Sequence, residues 1–222
     1  MLTSRQLYVL TLVFALLTVL ALALDLPVAT FWRTTSRHGD LFRALMLLEF
    51  FGHGLGVIWI LATVVTLDPQ GWSKLPRLLT CTYGAGLVAS ISKFLVIRSR
   101  PRGMTNATSV WDTFGGWSTF EHFLSWPLKV DLRSFPSGHV AFATGLAIGL
   151  GSIYPRGRVL FMTLALLSGI QRTAIAAHFT SDVFAGAAIG CLWCAICLQI
   201  RPAPATNSIC DLPVSTASTE AK

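Results

Sequence analysis

Charge is scarce in this chain of 222 residues: only 12% are Asp, Glu, Lys or Arg, against about a quarter in a soluble domain. Carboxylates are scarcer still, 10 against 17 Lys and Arg, and they form no cluster of the kind a hard cation requires. Segments of about ten residues with alternating polarity, the mark of a transmembrane barrel, are missing. There is no internal repeat and no soluble second domain. The net charge of +7 is scattered over loops and span ends, without the basic face that a nucleic acid needs. Five cysteines, an odd number, argue against a disulfide framework.

What the chain does have is apolar length. Fifty-three per cent of it is hydrophobic, gathered in runs that only helices or barrels can carry across lipid. The expected fold is all-α, a six-transmembrane-helix bundle with spans at about 7–24, 44–67, 78–97, 138–154, 159–177 and 180–200. Residues 1–201 would form one membrane-embedded domain, and 202–222, polar and rich in Pro, Ser and Thr, a disordered tail. Arg5, an apolar run and Ala21-Leu22-Ala23 before Asp25 also fit a signal peptide. Eighteen apolar residues are long for that role, so a retained span is favoured. With the amino terminus inside, seven Lys and Arg fall on inner segments and eight on outer loops. The positive-inside rule therefore leaves orientation open.

Ionisable groups at membrane depth are costly, so they mark function. Lys93 lies near the end of the third span, and Arg100-Pro101 follow. His139 opens the fourth span, Arg172 closes the fifth, and His178 and Asp182 stand at the start of the sixth. The third span exits on one side, the fourth starts there, the fifth returns there and the sixth leaves from it. Parity alone puts all six groups on one membrane face. Arg98 and Arg102 are read as interfacial anchors. Cys191-x-x-Cys194-x-x-Cys197 has iron–sulfur spacing, but inside an apolar span Cys reads as a small hydrophobe.

Three cations with few carboxylates near them suit an anion of more than one charge: Arg grips phosphate bidentately and Lys adds a point charge. Ser137 and Gly138 start a helix, where free N–H groups and the helix dipole favour an anion. His178 and Asp182, four apart, can meet across one turn. The carboxylate would fix the imidazole tautomer, leaving the other nitrogen as a nucleophile for phosphorus. His139 would protonate the leaving oxygen. Neither a metal nor another cofactor is required.

The set Lys93-x6-Arg100-Pro101, Pro136-Ser137-Gly138-His139 and Arg172-x5-His178-x3-Asp182 resembles the three-part signature of the type 2 phosphatidic acid phosphatase family. That family lies within the acid phosphatase and vanadium haloperoxidase superfamily. The six-span layout resembles its integral-membrane branch. The resemblance implies His178 as nucleophile, Asp182 as its partner and His139 as acid, with Lys93, Arg100, Ser137, Gly138 and Arg172 binding phosphate. Gln171 departs from the Ser or Thr that usually precedes the arginine.

Together these readings predict a membrane phosphatase for a lipid phosphate or diphosphate, such as undecaprenyl diphosphate, phosphatidylglycerol phosphate, phosphatidic acid or a lipid A phosphate. Polyprenyl diphosphate is slightly favoured. The expected partners are that lipid and the bilayer, with no nucleic acid and no obligatory protein. The resemblance suggests the periplasmic face of a bacterial inner membrane. A lipid phosphotransferase and a non-catalytic lipid-binding or transport protein are the alternatives. Glu49 and His53, four apart, could pair with each other, support the site or touch a head group, with pairing favoured, and the Trp-bearing 102–135 connection is expected to cover the site.

Overall fold

In the computed structural model, residues 2–35, 39–104, 107–117 and 130–200 are described. The 202–222 tail, Trp126 and much of the 102–135 connection lie outside the described residues. Nine α-helices are described: α1 Ser4–Ala21, α2 Asp25–Thr34, α3 Asp40–Leu47, α4 Glu49–Gly52, α5 Gly54–Leu67, α6 Gly71–Ser92, α7 Gly138–Ile153, α8 Arg158–Ala174 and α9 Thr180–Ile200. The fold is helical but not purely so. Strands β1 (Val96–Arg98) and β2 (Phe114–Trp117) form an antiparallel ribbon. The expectation of an all-α chain missed it, because three residues of strand are too short to show a period.

By length and apolarity two helical stretches qualify alone as spans, Ser4–Thr34 and Thr180–Gln199. A third arises if Phe42–Gly52 and Gly54–Leu67, bent by 72° at His53, count as one. The bend has a local cause. His53 is extended, and its Nδ1 accepts the Leu55 N–H as an N-cap, so α5 starts anew there. Helix α7, 16 residues, is only about 24 Å long. Helix α6 ends at Ser92, earlier than expected, so Lys93 caps a helix end and does not lie within a span.

Helix α7 is the axis. Of its 16 residues, 12 are buried, nearly all Ala, Gly, Val, Leu, Ile or Thr. Small side chains let neighbouring backbones approach closely, which is how helices associate without a hydrophobic drive between them. Helices α6, α8 and α9 surround it, and α1 runs along α9. One core joins Phe51, Val57, Leu61 and Leu78 to Ala143 and Leu146. A second joins Leu7, Ile148 and the free thiols Cys81, Cys191 and Cys194, so these cysteines pack as apolar groups. Outward faces are apolar too, with Leu12, Leu16, Trp59, Leu87 and Leu166 exposed. A contiguous apolar exterior on this scale is a lipid-facing surface.

The α6–α7 contact has no spare room. A Cβ on Gly145 would stand 2.3 Å from the Cys81 carbonyl oxygen. Gly145→Ala is therefore expected to lower stability by about 1–3 kcal/mol through overpacking, read as a lower thermal midpoint in detergent. A Cβ on Gly54 meets nothing within 4 Å, and Gly54→Ala should leave the midpoint unchanged.

Candidate active site

Backbone hydrogen bonds stitch the three motifs together. The Arg102 N–H donates to the Ala176 carbonyl at 3.0 Å, and the Ser137 N–H donates to the Asp182 carbonyl at 3.0 Å. The Ser134 N–H donates to the Arg98 carbonyl at 2.9 Å, and the Arg100 N–H to the Asp131 carbonyl at 2.7 Å. The segment leading into Pro136-Ser137-Gly138-His139 is thus fixed beside β1, and its far end beside α9.

His178 is delivered by a tight turn after α8. The N–H groups of Ala177 and His178 both point at the Arg172 carbonyl, 3.1 and 3.2 Å away, closing the helix end. Ala176 adopts φ 54° to make that turn, a left-handed conformation that costs an L-residue about 1–2 kcal/mol. The His178 ring is buried, with Nδ1 2.8 Å from the Ser134 carbonyl oxygen. A carbonyl only accepts, so Nδ1 carries the proton and Nε2 keeps the lone pair. Asp182 Oδ2 stands 3.7 Å from the same Nδ1, an electrostatic neighbour and not the hydrogen-bond partner foreseen. It accepts instead from Ser134 Oγ at 2.5 Å and the Phe179 N–H at 2.8 Å.

The cations gather around this ring. Lys93 and Arg100 are within electrostatic reach of His178, and Arg172 and His178 within reach of His139. Lys93 Nζ donates to the Arg133 carbonyl at 3.1 Å, and its Cε is 3.8 Å from where a Gly138 Cβ would lie. Among the described residues, the buried side-chain atoms without a hydrogen-bond partner include Ser137 Oγ, Arg100 Nε, His139 Nε2 and Arg172 Nη2. Buried polar atoms are nearly always satisfied. These atoms, left over where the motifs meet, suit the oxygens of an anion. Gln171 takes the place of the usual hydroxyl residue by bracing Arg172, whose Nε donates to Gln171 Oε1 at 2.7 Å.

Two expectations need correction. Glu49 does not pair with His53. Its Oε1 lies 3.0 Å from Arg172 Nη2 and 3.5 Å from His139 Nε2, both close enough for an ion pair but neither with hydrogen-bond geometry. The α4–α5 bend turns His53 instead toward His139, with ring centroids 5.7 Å apart. Arg102 is exposed and pairs with Asp131 at 2.8 Å, but Arg98 is no interfacial anchor. It is fully buried and bound to Asp25 and Asp182 at 2.6 and 2.5 Å. The sequence held a signal for Asp25 and Arg98: in the expected six-span layout each follows a span that would exit on the face carrying the motifs.

Apolar helices whose ends bring three motifs together define a class of membrane protein. Residues 74–204 match the PAP2 superfamily, and the chain is a member of that superfamily. Proteins named Lipid A 1-phosphatase from Rhizobium etli and Rhizobium johnstonii are each 33% identical, over 113 and 107 residues. These matches cover 51% and 48% of this chain, and 44% and 39% of theirs, so the chain spans under half the length of those relatives. The crystal structure of Aquifex aeolicus LpxE superposes with a TM-score of 0.58 at 21% identity, covering 79% of this chain and 95% of that one. A transmembrane PAP2-type phosphatidylglycerolphosphate phosphatase from Bacillus subtilis gives 0.56 at 16%, covering 90% and 96%. Both share the fold.

Burial pushes the His178 imidazole down to about 4, and Asp182 only partly opposes this. An unfolded imidazole takes its proton near 6.5. Between those values acid protonates the unfolded chain but not the folded one, so stability falls as pH falls from about 6.5 to 4. One proton limits the slope to about 1.4 kcal/mol per pH unit. Denaturation midpoints measured against pH in detergent should show that slope, and His178→Ala should reduce it.

Proposed function

We propose that this chain is an integral-membrane phosphatase of six spans that hydrolyses a lipid phosphate through a phosphohistidine. The observation that carries the reading is the His178 Nδ1 to Ser134 carbonyl contact at 2.8 Å, which leaves Nε2 as a free lone pair among cations. In the first step Nε2 attacks phosphorus, the P–O bond to the lipid breaks, and His139 gives its proton to the leaving oxygen. Lys93, Arg100, Arg172, Ser137 and the Gly138 N–H hold the remaining phosphate oxygens as charge builds on them. In the second step water attacks phosphorus, His139 takes its proton, the N–P bond breaks and inorganic phosphate leaves. Fixed cations supply the compensating charge, so no metal is written into either step.

The relatives named Lipid A 1-phosphatase make the 1-phosphate of lipid A the first substrate to test. The helix ends that carry the motifs would face the periplasm from a bacterial inner membrane. Glu49 holds a place on Arg172 that a substrate phosphate would take. Binding then exchanges one carboxylate for a phosphate of higher charge.

Release of phosphate in detergent from lipid A 1-phosphate, a polyprenyl diphosphate, phosphatidic acid and phosphatidylglycerol phosphate tests the reading. Turnover should survive chelator and be inhibited by vanadate. His178→Ala should abolish it, and His139→Ala should cut it by at least about 10²-fold. Activity lost to chelator and restored by a divalent ion would overturn the mechanism. Transfer to an acceptor other than water would make the protein a phosphotransferase.

Removal of the competing carboxylate gives a second measurement. Glu49→Gln should tighten inhibition by vanadate about tenfold, equivalent to about 1.4 kcal/mol. An unchanged inhibition constant would mean that Glu49 does not contend with the anion.

A further inference from the structure

Asp25 and Arg98 lie outside the three motifs, yet both are fully buried beside Asp182. Arg98 Nη2 donates to Asp25 Oδ2 at 2.6 Å, and Nη1 donates to Asp182 Oδ1 at 2.5 Å and Ser181 Oγ at 2.7 Å. Arg98 Nε donates to Thr113 Oγ1 at 3.2 Å. Ser181 donates from its N–H and Oγ to Asp25, at 2.9 and 2.5 Å. The rings of Phe114 and Phe179 lie 4.4 and 4.2 Å from the guanidinium carbon. Such a setting fixes the orientation of the guanidinium.

We infer that Asp25 and Arg98 are positioning residues for the reaction, holding Asp182 beside His178 and setting how much of its negative charge the nucleophile feels. The inference rests on His178 being that nucleophile. One guanidinium is shared between two carboxylates. The negative charge of Asp25 offsets the field of the guanidinium, so the imidazole feels more of the charge on Asp182. Other groups face His178 from every side: Lys93 from the end of α6, Arg100 from the segment after β1, His139 from α7 and the Ser134 carbonyl. They are unaltered by changes at Asp25 and Arg98.

Two variants therefore act in opposite directions. Asp25→Asn leaves Arg98 with Asp182 alone, so His178 feels less negative charge and loses its proton more readily. Asp25→Asn combined with Arg98→Met leaves Asp182 facing His178 with no competing cation, so the imidazole holds its proton more tightly. The acidic limb of kcat/KM for phosphatidic acid in mixed micelles reports the free enzyme's base. It should move to lower pH in the first variant and to higher pH in the second, by about one unit each. Vanadate inhibition at the pH optimum should stay within about twofold of wild type.

The full-length variants are compared with wild type and His178→Ala after elution as a single detergent-solubilised species. Limbs within about 0.2 units of wild type, or both displaced in the same direction, would overturn the inference and leave a packing role. The double variant removes one carboxylate along with the guanidinium, and Asp182 keeps its hydrogen bonds from Ser134 Oγ and the Phe179 N–H. If Asp25→Asn does not purify, the upward shift of the double variant decides alone. Turnover retained in His178→Ala would instead remove the phosphatase reading on which the inference stands.

Discussion

A guanidinium shut away from water has to find its partners inside the protein, and the partners of Arg98 decide how this fold closes. Its donors reach helix α2 through Asp25, the start of α9 through Ser181 and Asp182, and the β-ribbon segment through Thr113. Taking away one member of such a buried set typically costs about 3–5 kcal/mol, because the charge left behind has no water to turn to. Helix ends separated by more than 150 positions in the chain are therefore held to one geometry by one side chain. The rings of Phe114 and Phe179 flank the guanidinium at 4.4 and 4.2 Å.

From that fixed point the site follows by short backbone links. The carbonyl of Arg98 accepts from the Ser134 N–H. Ser134 then does three things: its carbonyl takes the proton side of His178, its hydroxyl donates to Asp182, and its chain leads directly to Ser137 and Gly138. Asp182 is thereby occupied by Arg98, Ser134 and the Phe179 N–H. Its effect on His178 at 3.7 Å is exerted through the field, and the tautomer is held by a peptide carbonyl. The proposed catalytic geometry would tolerate little drift, since an error of about 1 Å can cost a hundredfold in rate.

The sequence carried the site's membership better than its wiring. Lys93, Arg100, His139, Arg172, His178 and Asp182 were placed on one face by counting spans, and spacing within a helix put His178 next to Asp182. The span ends were less legible. The break at His53 depends on a side chain capping its own downstream helix, and hydropathy shows only one continuous apolar run there. Arg98 was misread because a charged residue after a span is the ordinary mark of an interface. Only tertiary contact separates that case from a buried ion pair. The Ser134 carbonyl was invisible for a simpler reason: every residue has one, and no pattern says which will meet an imidazole.

The distribution of carboxylates completes the electrostatic logic. Asp25 and Asp182 are both committed to Arg98 and fully enclosed. Glu49, by contrast, is 41% exposed at the side chain and bound to Arg172 from the edge of the site. An enclosed carboxylate cannot leave its cation without a large desolvation penalty, whereas an exposed one regains water as it departs. The same chemical group is thus enclosed scaffold in one place and, in the proposed reaction, exchangeable counter-charge in the other. Burial draws that distinction, and it leaves Arg172 as the cation whose partner an arriving anion can displace. Lys93 and Arg100, near His178, would then grip the phosphate from the nucleophile's side while Arg172 receives it from the side of His139.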